Sequence, residues 1–239
     1  MSSAGDPPRP DRPDPEQATH RAYQRTLAEG DPTAWFEPLY AAAERGEAEL
    51  PWHRDEPHPL LVRWGEARRP TAVGRRAVVV GCGLGDDAEY VARLGYDTVA
   101  FDVSPTAVAT ARRRFPHTRV HYRTADLLRL PARWDSGYDL VVEVRTVQSL
   151  PEPARGEAIA AVGRLVAPGG VLLVVAAAQD EADEPVAGPP WPLTREEIDA
   201  FTSPAPGRRL HAVTVEEIAD VRDGPEPAPR LWWAEFHRP

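Results

Sequence analysis

The sequence predicts a doubly wound α/β fold built on a mostly parallel sheet. Short apolar segments rich in Val, Leu and Ala alternate with helical segments between residues 76 and 177, and such alternation is typical of parallel strands joined by crossover helices. The first apolar run leads directly into a glycine-rich turn, where folds of this class open a cleft. Two further strand-like segments, His211–Val221 and Arg230–Arg238, follow the last helix and predict an antiparallel pair.

The chain is expected to have three parts. Residues 1–16 are polar, rich in Pro and Asp, and predict a disordered tail because they offer little to bury. Residues 17–74 carry helical patterns and predict a helical lid or cap region. Residues 75–239 contain every predicted strand, and their number suits a single α/β domain.

Three helices are expected before the first strand. Residues 16–29 favour a short helix, and another is expected to begin near residues 60–66. Between them, Asp31 is placed to cap a helix with Pro32 at its first position. The apolar residues of that middle helix are Trp35, Phe36, Leu39 and Tyr40.

The core elements follow one another in a regular order. The strand Arg76–Val80 is a β-branched run closed by glycines, as in a fully buried strand. Gly95 ends the first core helix, and Ser104 with Pro105 begins the second. The remaining predicted parallel strands are 98–101, 119–122, 138–144 and 170–177, and the predicted helices are 86–94, 105–115, 154–166 and 194–201.

Composition argues for a small-molecule partner rather than a large anionic one. The 239 residues hold 28 basic and 37 acidic side chains, a net charge of −9, which disfavours nucleic-acid and anionic-membrane surfaces. The single Cys82 excludes an intramolecular disulfide and a cysteine-rich metal site. Neither a signal peptide nor a transmembrane run is apparent, so a cytoplasmic monomer or homodimer without a metal is expected.

The segment Gly81-Cys82-Gly83-Leu84-Gly85 is the strongest sign of a ligand site. Glycines let the backbone approach a ligand closely. Their G-x-G-x-G spacing differs from the G-x-G-x-x-G of loops that seat a pyrophosphate. Asp86 stands where that pattern requires Gly, and Asp87 follows. Two carboxylates there suit a cationic, phosphate-free ligand, although they could merely complement the helix dipole.

Three acidic residues follow or end later strands at the same edge of the predicted sheet. Asp102 can accept hydrogen bonds from both hydroxyls of a ribose, which supports adenosine binding without selecting the cofactor. Asp126 could reach an adenine amino group, or form an ordinary surface turn. Glu143 follows an apolar run, and because a charge is costly in the core, it is expected to face the cleft.

Taken in order, these residues resemble the class I S-adenosylmethionine-dependent methyltransferases over residues 75–239. The resemblance includes the glycine loop, Asp102, Asp126-Leu127, the segment 139–150 and the turn 165–170. It implies a seven-stranded sheet with an antiparallel last strand. It also implies S-adenosylmethionine as cofactor, S-adenosylhomocysteine as product, and a methyl acceptor.

One departure points to a branch of that family. Val79 stands two places before the first loop glycine, where the family usually has an acid. The thiopurine and halide/thiol methyltransferase branch often lacks that acid and has a Gly-Cys-Gly loop followed by Asp. The upstream Trp35, Tyr40 and Trp52 are similar to the lid of that branch. Its acceptors are thiols, halides or related nucleophiles.

The resemblance assigns a role to each part of the site. The loop is expected to hold the methionine half, Asp102 with Val103 the ribose, and Asp126 with Leu127 the adenine, while the aromatic residues exclude water. The cofactor-binding residues expected on this basis are Gly81, Cys82, Gly83, Gly85, Asp87, Asp102, Val103, Asp126, Leu127, Glu143, Trp35 and Trp52. Packing within the helical region is the alternative for Trp35, and small-residue packing is the expected role of Cys82.

The catalytic residue stays open. A hydroxyl acceptor would need a base, for which Glu143, His53 and His58 are candidates, whereas a thiolate or halide would need none. His53 and His58 flank Pro57 in a predicted loop, where histidines are more often exposed than catalytic. Arg145 could hold an anionic substrate or be a surface charge.

Two other functions remain possible from the sequence. An NAD(P)-dependent oxidoreductase would use the same strand, loop and ribose acid, but the glycine spacing counts against it. A cofactor-binding protein without catalysis, serving as a regulator, would explain Val79 and the missing base.

Overall fold

The computed structural model describes residue 23 and residues 30–179, 188–220 and 229–239. The predicted tail 1–16 lies outside the described residues. So do the predicted helix 16–29, apart from Tyr23, and most of the segment between the last two predicted strands.

Between residues 30 and 74, two helices of the predicted lid region precede the sheet, α1 (Phe36–Glu44) and α2 (Pro59–Arg68). The prediction that Asp31 caps the first of them is wrong. The Asp31 carboxylate accepts hydrogen bonds from the backbone N–H and the hydroxyl of Thr33, both at 2.8 Å, and this local turn delays the helix to Phe36. His58 caps α2, because its Nδ1 accepts the N–H of Leu60 at 3.3 Å.

A seven-stranded sheet forms the centre of the protein, with the strand order β3-β2-β1-β4-β5-β7-β6. Strands β1 to β5 are parallel, and β7 is antiparallel to both of its neighbours, so the predicted fold is confirmed. The strands are β1 (Arg76–Val80), β2 (Asp97–Asp102), β3 (His121–Thr124), β4 (Tyr138–Val144), β5 (Val166–Ala177), β6 (His211–Ala219) and β7 (Arg230–His237). The helices between them are α3 (Asp86–Arg93), α4 (Pro105–Arg114), α5 (Glu152–Leu165) and α6 (Arg195–Ala200).

The third strand begins two residues later than predicted. The N–H of Thr118 bonds the carbonyl of Phe115, and the Thr118 hydroxyl accepts the N–H of Val120 at 2.9 Å. This turn uses the residues that the apolar pattern had placed in the strand, and pairing with β2 starts at His121 opposite Val99.

Two apolar layers cover the sheet. Alternate side chains of β1 and β4 point to opposite faces. Val78 and Val141 pack with α5 and α6 on one face, while Ala77 and Leu140 pack with α2, α3 and α4 on the other. The strand order reverses at β1, which leads to β2 on one side and borders β4 on the other. The carboxyl ends of β1 and β4 therefore flank the position where such folds bind ligands.

Candidate functional site

A cleft that is open to solvent lies at the carboxyl edge of β1, β2 and β4 and is bordered by α1 and the segment 52–58. Most residues predicted to bind a cofactor line it. Those that do are Gly81, Cys82, Gly83, Gly85, Asp87, Asp102, Val103, Asp126, Leu127 and Trp52, and the cleft also receives Tyr40, His53, His58 and Arg145. The sheet topology brings these distant sequence segments together.

Gly81, the first glycine of the loop, has a backbone conformation that favours glycine and surroundings that leave no room for a side chain. Gly81 has φ 57°, in the left-handed region, and a Cβ there would lie 2.3 Å from Oγ1 of Thr146. The Thr146 hydroxyl donates to the carbonyl of Val80 at 3.0 Å. The glycine loop is thus packed against the segment after β4, with no room for a side chain between them.

Asp102, the residue predicted to bind a ribose, is a buried carboxylate at the end of β2. Its Oδ2 accepts the N–H of Gly83 and its Oδ1 accepts the N–H of Ser104, each at 2.9 Å. The side chain borders the cleft although the residue is only 5% exposed. Burial raises the pKa of Asp102 to about 6, against the lowering effect of these hydrogen bonds. A carboxylate fixed by two backbone amides keeps a defined orientation and further lone pairs for ligand hydroxyls.

The two aspartates after the loop differ in their electrostatic surroundings. Asp86 forms a two-point ion pair with Arg114, at 2.7 and 3.1 Å, which offsets its charge. Asp87 accepts the N–H of His58 at 2.7 Å. Burial raises the pKa of Asp87 to about 6, with Arg54 and Arg145 acting in the opposite direction. The argument for a cationic ligand therefore depends mainly on Asp87.

The aromatic residues of the lid region divide into cleft and core. Trp52 donates its indole N–H to the hydroxyl of Tyr40 at 3.0 Å, and this hydroxyl would be 3.1 Å from a Cβ placed on Gly83. Trp35 is fully buried, stacks on Phe36 and meets Trp52 edge-on, but it does not border the cleft. Trp35 thus supports the other aromatic residues, and the prediction that it binds the cofactor directly is not supported by its position.

Glu37, which the sequence did not single out, joins the lid helix α1 to α4. Its carboxylate accepts the hydroxyls of Ser104 at 2.5 Å and Thr106 at 2.6 Å, and the N–H of Thr106 at 3.2 Å. Burial raises and these hydrogen bonds lower the pKa of Glu37, with a net downward shift. An anion at a helix N-terminus is also favoured by the helix dipole. Sequence gave no signal for this contact, because its partners are 67 and 69 residues away.

Glu143 does not face the cleft, so that prediction is wrong. The side chain is fully buried, and its Oε1 accepts the N–H groups of Thr146 at 2.6 Å and Val147 at 2.9 Å. Burial raises the pKa of Glu143 to about 7. The carboxyl shapes the turn that presents Thr146 to Gly81. It is therefore poorly placed to act as a base on a bound substrate.

The remaining catalytic candidates lie at the cleft in different settings. His53 is partly exposed, and its Nε2 lies 2.8 Å from Oδ1 of Asp55. His58 is buried, contrary to the expected exposure of both histidines, because it caps α2. Arg145 has φ 59° and binds Asp220 at 2.9 Å. Arg145 is thus an ion-paired residue of the cleft wall, not a free surface charge.

Asp126 forms a local turn and also borders the cleft. Its Oδ1 accepts the N–H of Leu128 at 2.9 Å and caps the short 3₁₀ helix Leu127–Arg129. Both Asp126 and Leu127 border the cleft on the side of Asp102. The turn therefore holds a carboxylate and an apolar side chain near the position expected for the adenine ring.

Comparisons with known proteins agree with this geometry. Residues 77–170 match a family model described as a methyltransferase domain. The chain is 31% identical over 142 residues to a ubiquinone biosynthesis O-methyltransferase of Thiobacillus denitrificans, covering 59% of this chain and 53% of that protein. A counterpart from Caulobacter is 30% identical over 146 residues, covering 60% of this chain and 56% of the relative. The chain thus spans about half the length of the curated relatives it matches.

A solved structure extends the likeness to nearly the whole chain. The N-methyltransferase NodS of Bradyrhizobium japonicum, in complex with S-adenosyl-L-homocysteine, matches with a TM-score of 0.60 and 20% identity, over 91% of this chain and 98% of NodS. The two proteins share a fold, so the predicted doubly wound fold is confirmed. The match of residues 77–170 to a methyltransferase domain supports the methyltransferase prediction over the NAD(P)-dependent alternative.

Among the described residues, no helix combines the length and the apolar character that crossing a membrane requires. In the same part of the chain, no group of three or more His, Cys, Asp and Glu side chains is arranged to hold a metal ion.

The carboxyls of Asp87 and Asp102 predict that affinity for S-adenosylmethionine rises with pH. Each has a pKa of about 6. A ligand ammonium favours the ionised form of Asp87, and donating ribose hydroxyls favour the ionised form of Asp102. Affinity is therefore expected to increase by up to about tenfold per carboxyl between pH 5 and 7, and then to level off. Without ligand, these raised pKa values lower the free energy of unfolding as pH rises from about 4 to about 6.

Isothermal titration with S-adenosylmethionine at several pH values measures this dependence. Asp102→Asn, which cannot ionise, should remove the part contributed by that residue. An affinity that is constant between pH 5 and 7 in the unaltered protein would contradict the prediction.

Proposed function

We propose that this chain is an S-adenosylmethionine-dependent methyltransferase that acts on a small-molecule acceptor. The observation that carries the proposal is Asp102, a buried carboxylate fixed by the N–H of Gly83 and bordering a cleft at the switch point of the sheet. One hydrogen bond thus connects Asp102, the proposed ribose-binding residue, to the glycine loop. The family-model match over residues 77–170 supports the same activity.

The chemistry of the cleft fits the three parts of this cofactor. Asp102 can accept the ribose hydroxyls, while the Phe101, Ala125 and Leu127 side chains offer an apolar setting for adenine with Asp126 near its amino group. Asp87, less neutralised than Asp86, suits the ammonium of the methionine half. The glycine loop lets the backbone come close to that half.

When bound, S-adenosylmethionine supplies a methyl group already activated by its sulfonium. The protein then needs chiefly to orient the acceptor in line with that group and to exclude water. Tyr40 and Trp52 form the wall that limits water, and Glu37 holds their helix against α4. Glu143 and Thr146 fix the segment after β4, which forms the opposite wall.

A hydroxyl acceptor is favoured over a thiol or halide. The curated relatives are named O-methyltransferases, and a hydroxyl requires the base that a thiolate or halide does not. His53 can serve as that base, because it borders the cleft and pairs with Asp55, an arrangement that holds an imidazole in one tautomer. The Gly-Cys-Gly loop keeps a thiol or halide acceptor as the second candidate.

Titration of the purified protein with S-adenosylmethionine, S-adenosylhomocysteine and NADH tests the cofactor. Transfer of a labelled methyl group to a panel of phenols and thiols then tests the reaction. Binding of the first two ligands with transfer supports the proposal. Binding without transfer to any acceptor favours a regulatory protein, and binding of NADH alone rejects the methyltransferase assignment.

The substitution His53→Gln distinguishes the two acceptor classes. With a hydroxyl acceptor, kcat is expected to fall about 100-fold because the base is lost, while the Kd of S-adenosylmethionine stays nearly unchanged. With a thiol acceptor at a pH above its pKa, kcat should change little. The matched control is His121→Gln, since His121 also lies beside an aspartate, Asp97, but on the exposed surface away from the cleft. An unchanged kcat for hydroxyl acceptors would remove His53 from the mechanism.

A further inference from the structure

The helix α1 and the turn before it lie along one side of the cleft. Thr33, in that turn, borders the cleft, and so do Phe36 and Tyr40 of the helix. Phe36 and Tyr40 are four residues apart, so their side chains project from the same face of α1. This segment therefore presents one continuous side to a molecule bound in the cleft.

The two ends of the segment lie beside opposite parts of the proposed cofactor site. At the adenine end, hydrogen bonds from Thr33 and the nearby charge of Arg129 lower the pKa of Asp31. Arg129 is the last residue of the 3₁₀ helix on the adenine side of the cleft. At the methionine end, the Tyr40 hydroxyl would lie 3.1 Å from a Cβ placed on Gly83. A cofactor that occupies both parts would therefore lie between α1 and the edge of the sheet.

Glu37 connects the middle of α1 to the ribose side of the same site. Its Oε2 accepts the hydroxyl of Ser104 at 2.5 Å, and its Oε1 accepts the hydroxyl of Thr106 at 2.6 Å. The N–H of Ser104 donates to Oδ1 of Asp102 at 2.9 Å. Glu37 does not itself border the cleft, so it can act on a bound ligand only through the position of α1.

An ion pair at the other end of α1 connects the same two helices more weakly. Glu44, the last residue of α1, pairs with Arg113 of α4, and both side chains are roughly half exposed. Exposed ion pairs of this kind contribute little to stability. Glu37 accepts three hydrogen bonds in a partly buried setting, where bonds to a charged group are stronger. Glu37 is therefore expected to hold α1 against α4 more firmly than Glu44 does.

On this basis, which depends on the proposed function, we infer that Glu37 is a positioning residue that controls the exchange of S-adenosylmethionine and S-adenosylhomocysteine. While Glu37 is bonded to Ser104 and Thr106, α1 keeps the bound molecule against the edge of the sheet. Exchange requires α1 to move away from α4, and this movement breaks the Glu37 bonds. The bonds therefore slow both the entry and the exit of the ligand.

Stopped-flow mixing with S-adenosylhomocysteine measures both rate constants, followed by tryptophan fluorescence because Trp52 borders the cleft. In Glu37→Ala, association and dissociation are each expected to become about tenfold or more faster, because the lost hydrogen bonds no longer oppose the movement. The Kd should change less than about threefold, since the bonds are present in the free protein and are expected to persist in the complex. Thr106→Val removes one donor from α4 and should show the same pattern with a smaller amplitude.

Glu44→Ala is the matched control, because it removes the exposed ion pair between the same helices and should leave both rate constants unchanged. Unchanged rates in Glu37→Ala would show that the ligand passes through the open side of the cleft, which overturns the inference. Faster dissociation without faster association also overturns it, because Glu37 would then only support contacts to the bound ligand. An equal acceleration in Glu44→Ala has the same consequence.

Thermal unfolding shows whether Glu37→Ala remains folded, and if it does not, Thr106→Val decides by the same criteria. The outcomes also separate this inference from the proposed function. If the unaltered protein binds neither S-adenosylmethionine nor S-adenosylhomocysteine, the proposed function is rejected. If it binds both but the Glu37 variants exchange them at the original rates, the inference alone fails.

Discussion

Asp102→Ala is expected to raise the Kd of S-adenosylmethionine about a thousandfold, since hydrogen bonds to a charged group contribute about 1.5–3 kcal/mol each and two ribose hydroxyls would lose their acceptor. The substitution also leaves the N–H groups of Gly83 and Ser104 without their buried acceptor. The loop would thus lose part of its fixed conformation, which adds to the loss of affinity.

Isothermal titration measures this effect, and thermal unfolding shows whether the fold survives. Asp102→Asn keeps one carbonyl oxygen and should give a smaller loss, which separates the ligand contact from damage to the loop. Asp97→Ala, at the exposed start of the same strand, is the matched control and should leave the Kd unchanged. A Kd for folded Asp102→Ala within about fivefold of the unaltered protein would contradict a ribose-binding role, since even one such hydrogen bond contributes more.

The sequence predicts the sheet well where the determining interactions are local. Strands β1 and β4 have the predicted bounds because each contains a short run of buried apolar residues, 77–80 and 140–142, that is followed by a glycine or a charged residue. The capping of α4 by Ser104 was predictable for the same reason, since the side chain bonds a backbone group three residues away. The spacing of the glycines predicted the loop, and the order of the predicted strands and helices placed that loop at the switch point of the sheet.

The functional side chains were predicted only in part, because their partners are distant in sequence. A strand-end acid such as Glu143 was expected to face the cleft, but it lies inside the core, where two backbone N–H groups of the following turn bond one of its carboxyl oxygens. Asp86 was expected to add negative charge to the ligand site, but its carboxylate pairs with Arg114, which lies 28 residues later in the sequence. Hydrophobic periodicity carries no information about either pairing, nor about the contacts of Glu37 or the ion pair of Arg145 with Asp220.

The lid illustrates a further limit. Trp35, Tyr40 and Trp52 were predicted as one aromatic group, and they do lie together, but only two of them border the cleft. Which ring is buried depends on the start of α1 at Phe36, and that depends on the turn made by Asp31 and Thr33. If the start of a helix is predicted a few residues too early, a side chain that lies in the core can therefore be assigned to the ligand site.

Gly81→Ala is expected to destabilise the protein by about 2–4 kcal/mol and to abolish cofactor binding, because an L residue at positive φ costs about 1–2 kcal/mol and the new methyl group displaces Thr146. Its Cβ would lie 2.3 Å from the Thr146 Oγ1, whose hydrogen bond to the Val80 carbonyl would be broken. Urea unfolding measures the stability and titration with S-adenosylmethionine measures the binding.

Two further variants show whether the clash itself is responsible. Gly156→Ala, in the exposed part of α5 where a Cβ meets no other atom, should be neutral or stabilising by up to about 1 kcal/mol. Adding Thr146→Ala to Gly81→Ala removes the atoms that the methyl group would strike, so the double variant should be more stable than the sum of the single effects predicts. Strictly additive effects would show that the left-handed backbone alone requires glycine. The segment after β4 would then impose no steric limit on the loop, and the coupling between Glu143, Thr146 and the glycine loop would have no energetic basis.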